Sequence, residues 1–390
     1  MTKLLTRLFI KNYKEIHNMQ VRQNYGLLAS IVGIICNIFL CTIKFIAGLL
    51  TSSIAITADA FNNLSDAGSS IVSLLGFKIS GSPADDDHPF GHGRMEYVAG
   101  LIVAMIIILM GFELGKTSLE KIFHPEPIAI SILSFSILII AILMKLWMYF
   151  FNLKISKAIG SIALKATAMD SLSDIIATST VAISMIISFF TGFNLDSYAG
   201  IVVAAFILYT GFNTARETLN PLLGEAPTSE FVKAIEDKVL SYNGVVGTHD
   251  LIVHNYGPNR TIVSLHAEVP CNIDIMSIHD TIDNIERDIK KEFGCEAVIH
   301  MDPIVVNDSV SNAMKIKVLA MVKLIDASIE LHDFRMIEGP THTNLIFDIV
   351  VPHKFRMTDK QIIESIANAV KVLDNTLEVV INVDKAYISK

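Results

Sequence analysis

Two apolar segments of the sequence carry polar side chains at their centres. The first contains the run DAFNNLSD, which places Asn62 four residues before Asp66, and the second contains MDSLSD, which places Asp170 four residues before Asp174. Residues four apart lie on one face of a helix, a turn from each other. If both segments are helices that pack face to face, four oxygen-bearing side chains meet in apolar surroundings, and the rest of the fold has to enclose them.

Six apolar segments are long enough to cross a lipid bilayer, which takes about 20 residues of helix. Hydrophobic side chains make up 52% of the 390 residues, too many for an ordinary soluble protein. The predicted spans lie at about residues 26–50, 54–78, 95–117, 128–151, 160–187 and 195–219. The sequence therefore predicts a polytopic α-helical membrane protein, with six transmembrane helices over residues 26–222.

Basic residues predict the orientation of these spans. Lys and Arg are concentrated in residues 1–25 and in the second-to-third and fourth-to-fifth connections, whereas the first-to-second and fifth-to-sixth turns have none. By the positive-inside rule, both termini are cytoplasmic and residues 1–25 form a cytoplasmic arm. The expected surroundings are the lipid bilayer of the cell membrane. Nucleic acid is not expected as a partner, because the sequence has no basic stripe with interleaved aromatic residues.

The part of the chain after the last span has the pattern of an α/β domain. Gly and Pro just before residue 228 indicate a linker. The pattern from 228 to 305 then predicts a helix, two strands, a helix and a strand, at about 229–241, 246–255, 260–269, 275–293 and 296–302. This αββαβ order predicts a ferredoxin-like cytoplasmic domain.

Residues 311–390 repeat that pattern. The run HDLIVHNYGP, which starts at His249, is echoed by HDFRMIEGP, which starts at His332, and two later runs are echoed in the same order at a nearly constant offset. These matches predict a tandem duplication of the cytoplasmic domain. The second copy is chemically degenerate, with Asp348 in place of His266 and Asn382 in place of His300.

The quartet of Asn62, Asp66, Asp170 and Asp174 is a candidate cation site. A carboxylate at mid-membrane costs about 2.5–3.5 kcal/mol even on lenient insertion scales, so helix packing explains three of them poorly. Oxygen donors suit hard cations such as Mn²⁺, Mg²⁺ or Ca²⁺ better than Zn²⁺, which favours imidazole and thiolate. Crowded carboxylates also retain protons, which a dication has to displace. Competition of this kind is the thermodynamic basis of antiport.

Two further sets of residues combine imidazole and carboxylate groups. Asp85, His88 and His92 lie in the second-to-third connection, and this mixture of ligand types favours a loop metal site over a solvated acidic turn. In the strand near 260–269, His266 is predicted on the face opposite to the apolar residues. A cytoplasmic ligand cluster, able to bridge two chains, is predicted from His249, His266, His300 and Asp302.

With these motifs the sequence resembles the cation diffusion facilitator family. The likeness covers about residues 20–305 and rests on the runs ADAFNNLSD, PADDDHPFGHG, DSLSD and HMDP. It implies a homodimeric metal/proton antiporter with six helices and a cytoplasmic metallochaperone-like domain, and it places the transport, loop and cytoplasmic metal sites on the three sets of residues named above. Zinc-transporting members place His where Asn62 or Asp170 stands, so this chain resembles the manganese branch.

The expected function is efflux of a divalent transition-metal cation, Mn²⁺, from the cytoplasm in exchange for H⁺, and not an enzymatic activity. Zn²⁺, Fe²⁺ and Cd²⁺ remain open as the exported metal, and so does a membrane-tethered metal sensor that transports nothing. An intramembrane aspartyl protease also uses paired carboxylates. It is disfavoured because the Gly-x-Gly-Asp run that it would need is absent from the sequence.

Overall fold

The computed structural model describes residues 2–16, 18–51, 54–123, 132–191, 196–258, 260–305, 309–339, 341–352 and 354–385. The helices are α1 (Thr2–Phe9), α2 (Met19–Thr51), α3 (Ile54–Ser80), α4 (Met95–Phe123), α5 (Ile132–Ile159), α6 (Ile162–Thr191), α7 (Asp196–Leu223), α8 (Ser229–Leu240), α9 (Ile275–Phe293), α10 (Ser309–Ile325) and α11 (Asp359–Leu373). The strands are β1 (Gly247–Asn255), β2 (Thr261–Pro270), β3 (Glu296–Ile304), β4 (Glu330–Glu338), β5 (Thr343–Val351) and β6 (Leu377–Lys385).

The chain divides into two compact units. The first contains Met1–Glu225 together with Asn255–Arg260, and the second contains Ala226–His254 together with Thr261–Lys390. The first unit is therefore mainly helical, and both sheets belong to the second.

Helices α2 to α7 of the first unit are 27 to 33 residues long and cover the six apolar segments. Helix α4 packs along α7, α2 along α3, and α5 along α6. Within the described residues, four stretches are long and apolar enough to cross a membrane, namely Met19–Ala47, Met95–Phe123, Phe135–Ile159 and Ser197–Leu223. The two remaining helices, α3 and α6, carry the acidic motifs, which lower their hydropathy. Their assignment as spans stays a prediction.

The region predicted as the N-terminal arm, residues 1–25, contains helical structure. Residues Thr2–Phe9 form a helix, and α2 begins at Met19, before the predicted end of the arm. Arg22 is buried, and its Nη1 and Nη2 donate hydrogen bonds of 2.6 and 3.0 Å to the carboxylate of Glu96, which is 0% exposed. A bidentate pair of this kind satisfies both charges away from water, so Arg22 helps to fix α2 against α4.

The second unit contains two three-stranded sheets with the same strand order, β1-β2-β3 and β4-β5-β6. In each sheet the middle strand pairs in parallel with the last strand. Helices α8 and α9 contribute apolar side chains to the core of the first sheet, and α10 and α11 to that of the second. Each half therefore has the αββαβ order. That the two halves arose by tandem duplication stays a prediction.

The alternation predicted for β2 is confirmed by burial. Val263, Leu265, Ala267 and Val269 are each at most 3% exposed and belong to the core. Because successive side chains of a strand point to opposite faces, His266 lies on the other face, where its side chain is 39% exposed. The core of the first repeat thus positions one of the predicted ligands.

Candidate metal centres

Three carboxylates meet between α3 and α6. Oxygen atoms of Asp66, Asp170 and Asp174 all lie within 4.8 Å of one another. Asp66 is 2% exposed and Asp170 4%. Among the described residues, Asp66 Oδ1 is buried and has no hydrogen-bond partner. Carboxylates that converge in this way, with an unused oxygen, are suited to ligating a divalent cation.

Lys145 of α5 lies within this cluster. Its ammonium nitrogen is 2.7 Å from Asp66 Oδ2 and 2.5 Å from Asp174 Oδ2, and the residue is 3% exposed. These charge-assisted hydrogen bonds are stronger than neutral ones. The protein's own cation therefore neutralises part of the charge of the three carboxylates.

A second buried lysine adds to the positive charge. Lys44 of α2 is 3% exposed and acts electrostatically on Asp174. With both lysines and all three carboxylates ionised, the cluster has one negative charge in excess. The acidic motifs alone do not predict either lysine. Both lie inside predicted spans, where a Lys usually pairs with an acidic residue, and this is the signal that identifies them.

The amide that contacts the cluster is Asn63 rather than Asn62. Asn63 is 4% exposed, and its Nδ2 donates a hydrogen bond of 3.1 Å to Asp66 Oδ2. Asn62, which the sequence predicts as a ligand, is exposed. On a helix both the third and the fourth residue before Asp66 lie near it, so spacing alone does not decide between the two amides.

The predicted loop residues lie together. The backbone N–H of His88 donates a hydrogen bond of 2.7 Å to Asp85 Oδ1, and His92 Nε2 is 3.5 Å from Asp85 Oδ2. The two imidazole rings are 4.5 Å apart between centroids. The hydrogen bond from the His88 backbone is the largest cause of the lowered pKa of Asp85. The loop thus places an ionised Asp85 carboxylate beside the imidazoles of His88 and His92.

The four predicted ligands of the first repeat also lie together, around Asp302. The Oδ2 atom of Asp302 is 3.1 Å from His249 Nε2 and 2.8 Å from His266 Nδ1, and its Oδ1 is 3.3 Å from His300 Nε2. The His249–Asp302 contact lacks the geometry of a hydrogen bond, since Nε2 is buried without a partner. An imidazole nitrogen and a carboxylate oxygen in such an arrangement can share a cation between them.

Protons and cations compete for His249. Burial by itself would lower the pKa of His249, but the hydrogen bond with Asp250 and the charges of Asp250 and Asp302 outweigh it and raise the pKa. A metal binds only the neutral imidazole. Cation binding at this centre therefore strengthens as the pH rises.

Comparisons with known proteins match both the helical part of the chain and the first αββαβ half. The family model for the cation efflux transmembrane domain matches residues 30–223, and the model for the cation efflux protein cytoplasmic domain matches residues 227–304. An uncharacterized transporter of Methanocaldococcus jannaschii is 32% identical over 286 residues, which are 71% of this chain and 96% of the relative. The chain belongs to the cation diffusion facilitator family. The cation-efflux pump FieF of Salmonella typhi and that of Escherichia coli are each 29% identical over 287 residues, 73% of this chain and 95% of the relative.

Members of the cation diffusion facilitator family are membrane-spanning transporters whose substrates are divalent metal cations, and this chain is one of them. The cytoplasmic-domain model, which is named for dimerisation, indicates that the chain forms dimers. Both family models end by residue 304, so the second αββαβ half lies outside them. Its function has to be argued from its own residues.

Proposed function

We propose that the chain exports Mn²⁺ from the cytoplasm and carries protons in the opposite direction. The observation that supports this function is the convergence of Asp66, Asp170 and Asp174, whose oxygen atoms lie within 4.8 Å of one another between two long helices. Carboxylate oxygens favour a hard cation, and Mn²⁺ is the transition metal that such a site suits best.

Lys145 gives the exchange a physical basis. Its ammonium contacts Asp66 and Asp174, where an entering cation would bind. Two unit charges 4 Å apart repel by about 4 kcal/mol at the effective dielectric constant of a protein, and a dication doubles that. Mn²⁺ and the ammonium therefore exclude each other. Mn²⁺ binds once the ammonium loses its proton or moves away, and a returning proton restores the cation-free site.

The proposed topology has six spans, formed by α2 to α7 within residues 26–222. Both termini are cytoplasmic, with an N-terminal arm over 1–25, a metallochaperone-like domain over 228–305 and its second copy over 311–390. The chain works as a homodimer in the cell membrane. Burial of Asp66 and Asp170 supports counting α3 and α6 as spans, because their carboxylates face other helices instead of lipid.

The two outer centres regulate this cycle in the proposal. Asp85, His88 and His92 form the loop metal site, and the cytoplasmic site consists of His249, His266, His300 and Asp302. A metal that binds these centres more tightly in one conformation shifts the transporter towards that conformation. Cytoplasmic metal would in this way favour the inward-open state that loads the substrate.

Proteoliposomes that contain the purified protein and a trapped pH dye test the function. Addition of Mn²⁺ is expected to drive metal uptake and proton release together, and collapse of the pH gradient by an ionophore is expected to stop uphill uptake. Liposomes without protein are the control. Faster flux of Zn²⁺, Fe²⁺ or Cd²⁺ than of Mn²⁺ would assign a different exported metal. Absence of any metal-dependent proton flux would indicate a sensor that does not transport.

Metal selectivity is expected to depend on an amide about one helical turn before Asp66, where the sequence predicts Asn62 as a ligand and Asn63 contacts the carboxylate. In the proposal Asn62 is the neutral donor, and Asn62→His adds an imidazole that favours Zn²⁺. The ratio of Mn²⁺ to Zn²⁺ transport should fall by about tenfold, the low end of what a change near a metal does to its affinity. Asn63→His is the matched variant. If Asn63→His changes the ratio and Asn62→His does not, the selectivity residue is Asn63.

A further inference from the structure

The second repeat has a cluster of ligand-type side chains of its own. Oxygen atoms of Asp250, Asp348 and Asp384 lie within 4.8 Å of one another, and a second group at that distance joins Asp250 to His249 and His332. His332 faces Asp348 across the β4–β5 pair, and Asp384 lies on the neighbouring strand β6. Residues on three strands of the second sheet thus lie in two groups that share Asp250 of the first repeat.

The second repeat places these side chains at the positions that hold ligands in the first. The correspondence pairs His332 with His249, Asp348 with His266, and Asp384 with Asp302. The changes keep a metal-ligating group at each of the three positions. They also replace one imidazole by a carboxylate, so the second cluster is richer in oxygen.

His332 is a buried member of these groups that lacks a hydrogen-bond partner. The residue is 9% exposed, and among the described residues neither of its ring nitrogens has a hydrogen-bond partner. Its Nε2 is 3.6 Å from Asp250 Oδ1, too far for a hydrogen bond. Buried polar side chains nearly always have a partner, and an exception needs a physical explanation. A cation between the imidazole and the carboxylates provides one.

Asp250 connects the two repeats. Its Oδ2 is 3.3 Å from His249 Nδ1, while its Oδ1 is the atom nearest His332. The rings of His249 and His332 are 4.5 Å apart between centroids. Asp250 adopts a φ of 50°, a left-handed conformation that is uncommon for residues other than glycine. The two distances show that the Asp250 carboxylate directs one oxygen to each repeat.

We propose that Asp250, His332, Asp348 and Asp384 bind a divalent cation of the hard class, such as Mn²⁺. Three carboxylates and one imidazole favour Mn²⁺, whereas the first-repeat centre, with three imidazoles around Asp302, favours Zn²⁺ or a similar metal. Because Asp250 lies between them, the two centres form a two-cation cluster that joins the repeats. This site is separate from the transport site, and its existence does not depend on transport.

Binding of Mn²⁺ to the full-length protein in detergent tests this site. Electron paramagnetic resonance measures the Mn²⁺ that remains free in solution. The difference from the total Mn²⁺ added gives the number of ions bound per chain. The double variant Asp348→Asn/Asp384→Asn is expected to bind one Mn²⁺ fewer than wild type. Glu378→Gln, which alters an exposed carboxylate on β6, is the matched control and should bind as many as wild type. Equal binding by the double variant and wild type, or an equal loss in the control, would overturn the proposal.

Hydrogen exchange shows where in the chain Mn²⁺ binds, and circular dichroism shows whether the variants are folded. Mn²⁺ is expected to slow amide exchange in β4 and β5 of wild type and not of the double variant. If the double variant is misfolded, as judged by circular dichroism, the single variant Asp384→Asn replaces it and should bind this Mn²⁺ at least tenfold more weakly. Unchanged Mn²⁺ affinity in a folded Asp384→Asn protein contradicts the site. Both measurements report binding alone, so loss of transport elsewhere does not affect them.

Discussion

Replacement of Asp170 by Asn is expected to abolish Mn²⁺ transport in a protein that remains folded. The change removes one charged oxygen ligand from the cluster and keeps the shape of the side chain. Mutation of a residue that only hydrogen-bonds to a metal ligand lowers metal affinity or activity by about 10–100-fold. Loss of a ligand itself should therefore lower the Mn²⁺ transport rate by at least ~100-fold. Asp170 is the most informative of the three carboxylates, because the hydrogen bonds of Lys145 go to Asp66 and Asp174. The ammonium therefore keeps both of its partners.

Flux in proteoliposomes measures this effect, and thermal melting in detergent shows whether the fold is retained. Glu113→Gln, which neutralises an exposed carboxylate on α4, is the control and should transport like wild type. A folded Asp170→Asn protein that transports Mn²⁺ at the wild-type rate would show that Asp170 is not a ligand. A loss of the same size in Glu113→Gln would point to a general charge effect in the membrane.

The sequence predicts the parts of this structure that depend on residue periodicity. The spacing of four residues places Asp170 and Asp174 on one face of α6, because it repeats about once per helical turn. Alternation in β2 separates the core residues from His266 in the same way. In both cases the backbone geometry of one element decides which side chains share a face, and that geometry is visible in a single sequence.

Contacts between distant elements could not be predicted in this way. Lys145 reaches the acidic cluster from α5, and Arg22 reaches Glu96 from α2. Each pairing depends on which helices are neighbours and on how they are rotated. An isolated Lys in an apolar segment shows only that a partner must exist, because an unpaired charge is costly there. It does not show which carboxylate the partner is.

The second repeat illustrates the same limit. Its likeness to the first is visible in the sequence, and the replacement of His266 by Asp348 indicates a change of ligand type. Asp250, however, belongs to the first repeat and reaches His332 in the second. Aligning the two repeats does not show that a residue of one contacts the other. The ligand set of the second cluster could therefore be identified only from the structure.

Replacement of Lys145 by Met is expected to destabilise the cation-free protein and to enlarge the stabilisation that Mn²⁺ provides. The ammonium neutralises Asp66 and Asp174 at 2.7 and 2.5 Å. Removing one partner of a buried ion pair costs about 3–5 kcal/mol, since it leaves an uncompensated buried charge. Bound Mn²⁺ would supply the missing positive charge without having to displace the ammonium. Melting temperatures with and without Mn²⁺ measure both effects.

Lys116→Met and Lys145→Arg are the controls for this prediction. Lys116 is exposed on α4 and pairs with Glu120 on the surface, so its loss should change the free energy of unfolding by no more than about 1 kcal/mol. Lys145→Arg keeps the charge and should behave more like wild type. An equal Mn²⁺-dependent shift in Lys145→Met and wild type would show that the ammonium and the cation do not compete.

The pH dependence of the Lys145→Met defect tests the proton side of the exchange. When Lys145 is absent, the single charge of Lys44 does not balance three carboxylates, so protons have to supply more of the neutralisation when no metal cation is bound. The difference in melting temperature between Lys145→Met and wild type should therefore be largest at high pH and should narrow as the pH falls. A difference that stays constant over pH would mean that protons do not enter the cluster. In that case cation and proton would not share the site, and the proposed antiport would lose its physical basis.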